Sequence, residues 1–112
     1  MTTKREIVER IIEEEGFEEL LRNPPSFLKE NYGNEEEKEI AAEEEGYDIK
    51  DVVVFTLPEL LDYYEETVKE QLLNKDLIYY IDIPRMIYDE WMGGYIDYTV
   101  LDNGHVYFFL IS

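Results

Sequence analysis

The sequence predicts an α+β protein: a cluster of short acidic helices, then a small antiparallel sheet (a C-terminal hairpin plus one short strand) packed with two helices. Three observations carry this. Apolar residues recur at helical spacing from Ile7 to Ala42 and again from Leu57 to Leu72. Two β-rich runs, Tyr95 to Leu101 and His105 to Ile111, flank Asn103-Gly104, a strong short hairpin signal. The chain is 45% hydrophobic and 14% aromatic, enough for a core beneath a heavily charged surface. Residues 1–50 are expected to form an acidic helical lobe and residues 51–112 an α+β lobe.

Thr3 and Glu6 make a capping-box pattern before a helix with the stripe Ile7, Val8, Ile11 and Ile12, stopped at Gly16. Phe17, Leu20 and Leu21 mark a second helix, ended by Asn23-Pro24-Pro25. Phe27, Leu28 and Tyr32 suggest a third, closed by Gly33, and Asn34 caps a fourth that runs to about Glu45. Outside Ile40, Ala41 and Ala42, that fourth helix is nearly all acid. Val52-Val53-Val54-Phe55 is a short strand, and Thr56 with Glu59 caps the clearest helix. Leu60, Tyr64, Val68 and Leu72 recur there every four residues, with Leu57 and Leu61 alongside, while Asp62, Glu66 and Glu70 repeat on another face. Like charges at that spacing each cost a few tenths of a kcal/mol.

Asp82 caps a helix from Ile83 to Met92 that accepts Pro84 in its first turn and ends at Gly93-Gly94. A two-residue loop at Asn103-Gly104 then sets the hairpin register. It puts Ile96, Tyr98 and Val100 on one face with Tyr107, Phe109 and Ile111, and Val106, Phe108 and Leu110 on the other. The last strand is apolar on both faces, so helices sandwich the sheet or a second subunit covers one side.

The formal net charge is −18, from 28 acidic and 10 basic residues. Residues 1–50 hold 16 acids and 7 bases and residues 51–112 hold 12 and 3, so each half carries −9 and the charge is a coat, not a tail. In duplex terms −18 equals about 9 base pairs. Such a surface argues against anionic membranes and against direct nucleic-acid binding; the expected partner is basic. The absence of cysteine fits a cytoplasmic protein, and no apolar run approaches the length of a membrane span.

Catalytic signatures are sparse. His105, the only histidine, reads as an exposed turn residue, and neither Ser26 nor Ser112 has a plausible histidine partner. Gly93-Gly94 is an isolated pair and no phosphate loop. The triplets Glu13-Glu14-Glu15, Glu35-Glu36-Glu37 and Glu43-Glu44-Glu45 lack calcium-loop spacing. Asp89 and Glu90 are adjacent on a helix and diverge, a poor catalytic pair. No metal or cofactor is expected, and no enzymatic activity. Halophily is the main rival explanation of the charge, but abundant Ile, Leu and Tyr disfavour it. Tyr79, Tyr80, Tyr88, Trp91, Tyr95 and Tyr98 suit core or subunit interface better than base stacking, because only Arg85 is basic among them.

The run Tyr79-Tyr80-Ile81-Asp82, then Asp89, Gly94-Tyr95 and the closing Asn103-Gly104-His105-Val106-Tyr107-Phe108 resembles the C-terminal end of the ArdA antirestriction family. That family reads as a Tyr-Ile-Asp segment, a short helix with Arg-Asp, and a final aromatic strand after Gly. The stretch from Val52 to Tyr64 and the Asn31-Tyr32-Gly33-Asn34 turn are similar too, so the likeness spans about residues 17–112. Tyr88 stands where the family has arginine, Pro84 and Arg85 are unusual in that helix, and the chain looks like a shortened form lacking the N-terminal domain. The resemblance implies a mimic of bent B-form DNA that occupies the DNA-binding groove of a type I restriction–modification enzyme and dimerises through its C-terminal region.

The expectation is therefore a DNA-mimic inhibitor, from a phage or mobile element, acting in the bacterial cytoplasm. Its acidic surface would comprise Glu35, Glu36, Glu39, Glu43 and Glu44, then Asp62, Glu65, Glu66 and Glu70, with Asp89 and Glu90. Tyr79, Tyr80, Ile81, Trp91, Val106, Phe108 and Leu110 are the expected homodimer contacts. Alternatives are an anti-CRISPR mimic blocking a Cas effector, an acidic chaperone or adaptor for a basic DNA-binding protein, and a small carboxylate hydrolase, which needs a concave pocket with paired acids.

Overall fold

The structure, a computed structural model, describes residues 1–111. Helices α1 (Lys4–Glu14), α2 (Phe17–Arg22), α3 (Ser26–Lys29) and α4 (Glu35–Glu44) precede strand β1 (Val53–Phe55). Helix α5 (Leu57–Gln71), a 3₁₀ helix (Lys75–Tyr80), helix α6 (Ile83–Met92) and strands β2 (Ile96–Val100) and β3 (Val106–Leu110) follow. This is the expected α+β class. The caps read from the sequence are present: Thr3, Asn34 and Asp82 accept the N–H of Glu6, Glu37 and Arg85, and Thr56 N–H donates to Glu59. Each of the three side-chain caps, at Thr3, Asn34 and Asp82, is worth about 1 kcal/mol.

Strand β3 is central in the order β1-β3-β2, antiparallel to both neighbours. The hairpin register differs by one residue from the sequence expectation. Val100 pairs with Val106 and Tyr98 with Phe108, so the loop has three residues, Asp102, Asn103 and Gly104. Leu101 N–H donates to His105 O and Gly104 N–H to Leu101 O, both at 2.9 Å, with Gly104 in the left-handed region at φ +87°. This is a type I turn followed by a bulge glycine, the commonest three-residue hairpin. A one-residue slip exchanges faces, so Ile96, Tyr98 and Val100 lie with Val106, Phe108 and Leu110, and Tyr107 and Phe109 face the other way. A side chain at Gly104 would meet Lys4 Cβ at 2.5 Å, so α1 sits directly against the turn.

The register sorts the core into two. On one face Val106, Phe108 and Ile96 join Val8, Phe17, Leu20, Leu21, Leu28, Leu57, Leu60, Tyr64 and Ile87. Residues from both sides of position 50 supply this cluster, so both halves of the chain share one core. On the other face Tyr107, Phe109, Val54 and Leu101 are covered by Ala41 and Ala42 of α4, with Tyr47, Ile49 and Val52 at the edge. Both apolar faces of β3 are thus covered within the chain. Val106 and Phe108, expected at a subunit interface, are fully buried core residues and unavailable to a second subunit. Trp91 and Leu110 are half-buried, with Trp91 packed on Phe17 at 4.5 Å. Tyr79 and Tyr80 are exposed and Ile81 is half-buried. The molecule measures 47 × 33 × 25 Å, and among the described residues no helix is long and apolar enough to cross a membrane.

Candidate acidic interface

Helix α4 is built to carry charge outward. Its inward residues are Ala41 and Ala42, whose small side chains let the helix lie close on the sheet, while Glu35, Glu36, Glu39, Glu43 and Glu44 are exposed. Its one basic residue, Lys38, turns to α5, where its Nζ lies 3.1 Å from Glu59 Oε1. The five outer carboxylates form no ion pair among the described residues. Glu45, Asp48 and Asp51 extend the exposed run. Residues 35–51 hold nine acids and two bases, a net −7 within 17 residues.

The α5 stripe is more mixed. Asp62 and Glu70 are exposed and unpaired among the described residues, whereas Glu65 and Glu66 lie 3.2 and 3.8 Å from Lys69. On α6, Asp89 is exposed and pairs with Arg85 at 3.4 Å, and Glu90 is half-buried near Tyr64. Burial, reinforced by Glu90, pushes the Tyr64 hydroxyl up to about 12. The eleven acidic residues named from the sequence therefore divide. Those of α4 with Asp62 and Glu70 present free charge; Glu65, Glu66 and Asp89 are partly neutralised; Glu90 is partly withdrawn.

Sequence reasoning missed the polar cluster that holds α4 down. Glu37 Oε1 takes His105 Nδ1 at 2.7 Å and accepts Tyr107 O–H at 2.9 Å and Asn103 Nδ2 at 3.4 Å. The Glu37 and His105 side chains are only 22% and 25% exposed, so His105 is no free turn residue. Burial alone would raise the Glu37 carboxyl, but the hydrogen bonds from His105, Tyr107 and Asn103 outweigh it, and its pKa lies below the ordinary value. Burial and the Glu37 contact both raise the Tyr107 hydroxyl. The partners stand 66 to 70 residues from Glu37, so spacing gave no signal; the only local hint was the Asn34-to-Glu37 cap.

The concave features are small. A groove of about 230 Å³ beside the end of α4 is lined by Glu39, Glu43, Tyr47, Asp48 and Ile49, below the ~300 Å³ at which small-molecule pockets usually begin. The carboxyls with displaced pKa values, Glu37 and Asp82, both move down, whereas a general acid needs a raised value. For Asp82 the leading cause is the hydrogen bond from Arg22. Among the described residues no three His, Asp or Glu side chains converge to hold a metal ion.

Comparison with family models, curated proteins and solved structures finds no match to the chain. The chemistry of the surface has to carry the functional argument.

Proposed function

We propose that the protein is a non-enzymatic DNA mimic that occupies the DNA-binding channel of a bacterial defence enzyme, with a type I restriction–modification enzyme as first target. The observation that carries this reading is the unneutralised carboxylate surface of α4, continued by Asp62 and Glu70 of α5, on a closed core. Charge density supports it: 18 net charges over 47 Å is about one per 2.6 Å, against one per ~1.7 Å of duplex. The molecule thus reaches about two-thirds of the linear charge density of DNA. Lysines and arginines that neutralise phosphates meet carboxylates instead, and opposite fields speed the encounter. The resemblance of the Tyr79–Asp82 and Asn103–Phe108 segments to ArdA supports the choice of target. Action on such an enzyme places the protein in the bacterial cytoplasm.

The test is displacement of a labelled duplex from a type I restriction enzyme, with a Cas effector and a histone-like protein run in parallel. Displacement from the restriction enzyme, weakening steeply with salt, is the expected result; displacement from the Cas effector alone transfers the reading to an anti-CRISPR mimic. Binding to the histone-like protein without displacement from either nuclease favours the chaperone. The decisive variant replaces Glu35, Glu36, Glu39, Glu43, Glu44, Asp62 and Glu70 with Gln or Asn. If that variant folds and still displaces duplex as well as the parent, mimicry is wrong.

A further inference from the structure

The Asn103-Gly104 pair carries reactive chemistry as well as a turn. In an Asn-Gly step the backbone nitrogen of the glycine can attack the asparagine side-chain amide, and the missing Cβ leaves that approach open. The asparagines of the chain precede Pro24, Tyr32, Glu35, Lys75 and Gly104. Pro24 has no N–H to give up, and Tyr32, Glu35 and Lys75 obstruct the ring with bulky side chains. Asn103 is therefore the asparagine best placed to cyclise. It is exposed at the tip of the hairpin, where water reaches it.

In the fold both reacting groups are held. Gly104 N–H donates to Leu101 O at 2.9 Å. Asn103 Oδ1 accepts His105 N–H at 3.0 Å, and Asn103 Nδ2 donates to Glu37 Oε1 at 3.4 Å. The loop is pinned on either side of this pair. His105 Nδ1 lies 2.7 Å from Glu37 Oε1, and Arg5 of α1 donates to Asp102. Ring closure has to swing the Asn103 side chain away from His105 and Glu37 and release the Gly104 nitrogen from Leu101. That is a local opening of the hairpin tip, and Glu37 and Arg5 resist it from opposite elements.

We propose that Asn103 is a site of spontaneous deamidation gated by these contacts, and that the carboxylate it forms loosens α4. The Gly104 nitrogen loses its proton to solvent base and bonds to Asn103 Cγ. The Cγ–Nδ2 bond breaks, ammonia leaves, and a cyclic imide remains. Water then opens the ring at either carbonyl, giving aspartate or isoaspartate. The net change is amide plus water to carboxylic acid plus ammonia, with nothing oxidised or reduced. Aspartate keeps an acceptor for His105 N–H but replaces the donor to Glu37 with a second carboxylate. Isoaspartate lengthens the main chain by one methylene inside a three-residue loop, so the Leu101 bonds that close the loop are lost. Either product adds a negative charge beside Glu37 to a chain already at −18. The inference rests on the hairpin tip and is independent of the DNA-mimic reading.

Peptide mapping of the full chain, stored at neutral pH, tests it. Arg85 is the last basic residue, so trypsin releases residues 86–112 as one peptide, and Asn103 is the only asparagine or glutamine in it. Its mass gain therefore reports this site alone. The parent unfolded in guanidinium chloride should convert at Asn103, and the folded parent at least about tenfold more slowly. Glu37→Leu should convert about tenfold faster than the folded parent, through the opening that follows loss of one charged contact. Arg5→Ala should accelerate it by a few-fold, as suits a surface pair. The first variant removes an acid and the second a base, so acceleration in both reports opening of the loop and not the local field. If Glu37→Leu does not fold, Arg5→Ala carries the test. Asn103→Asp should unfold at a lower urea midpoint than the parent. No conversion in the unfolded chain, equal rates folded and unfolded, a folded variant no faster than the parent, or an unchanged Asn103→Asp midpoint overturns the proposal.

Discussion

Replacing Glu37 with Leu should loosen α4 from the sheet, and the size of the effect follows from the contacts. Glu37 Oε1 accepts the Tyr107 hydroxyl at 2.9 Å, and Tyr107 is fully buried. Removing the acceptor strands that hydroxyl, at ~1–3 kcal/mol for a buried unpaired polar group. The contact to His105 at 2.7 Å is lost as well, but Glu37 is 22% exposed and water replaces part of it. The expected cost is about 2 kcal/mol, or a fall in Tm of about 8 °C for a domain of this size. Tyr107→Phe removes the donor instead and leaves Glu37 with His105 and Asn103, so it should cost only about 1 kcal/mol. The double variant should be more stable than the sum of the singles implies by about 1 kcal/mol, because no stranded hydroxyl remains. Urea unfolding followed by circular dichroism gives all three values. A Glu37→Leu variant within about 0.5 kcal/mol of the parent, or strict additivity with Tyr107→Phe, refutes the cluster as the tether of α4.

The pH dependence of the same site has a definite sign. Glu37 titrates lower in the fold than its ordinary value of 4.5, so its stabilising contribution is full above that value and is lost as pH falls through the folded-state pKa. The stability difference between the parent and Glu37→Gln should therefore be constant near neutrality and shrink below about pH 4.5 in paired urea titrations. Gly104→Ala should destabilise by about 2 kcal/mol or more, since φ is +87° and the new Cβ would lie 2.5 Å from Lys4 Cβ; thermal unfolding measures it. Glu39→Gln/Glu43→Gln/Glu44→Gln should instead stabilise by about 0.5–1 kcal/mol, by relieving the Glu39–Glu43 repulsion and removing acids from the C-terminal half of α4. The same triple variant should displace duplex from the target less well, and equal or better displacement would count against the α4 surface.

Most of the fold was legible because its signals are local. Caps at Thr3, Asn34, Thr56 and Asp82, and stops at Gly16 and Gly93, act within one turn of the chain. What was illegible depends on contacts far apart in sequence. The hairpin register is an exception: Asn103-Gly104 suits both a two-residue and a three-residue loop, and the one-residue difference exchanges which faces of the last two strands lie together. The second face of β3 is covered by two alanines of α4, and so small an apolar face amid glutamates gave no hint of a core contact. The 3₁₀ helix of Lys75–Tyr80 has no periodicity to betray it. The exposed acids were easier to place, because in a folded chain an unpaired carboxylate has almost nowhere to go but the surface.

Four of the ten basic residues have a role that composition conceals. Arg5 ties α1 to Asp102 of the hairpin loop, Arg22 ties α2 to Asp82, Arg85 ties α6 to Glu18, and Lys38 ties α4 to Glu59. These bases join elements distant in sequence, and their partners lie off the outer face of α4. Surface pairs of this kind contribute little stability individually, about 0–1 kcal/mol, so their larger consequence is where they leave the remaining charge. By pairing with Glu18, Glu59, Asp82 and Asp102, they neutralise the seams between elements and leave the outer face of α4 without a counter-charge. Lys69 and Arg85 do pair with Glu65, Glu66 and Asp89, so the segregation holds for α4 and not for α5 and α6. Segregation has a use if α4 must present its carboxylates to cations that belong to another molecule.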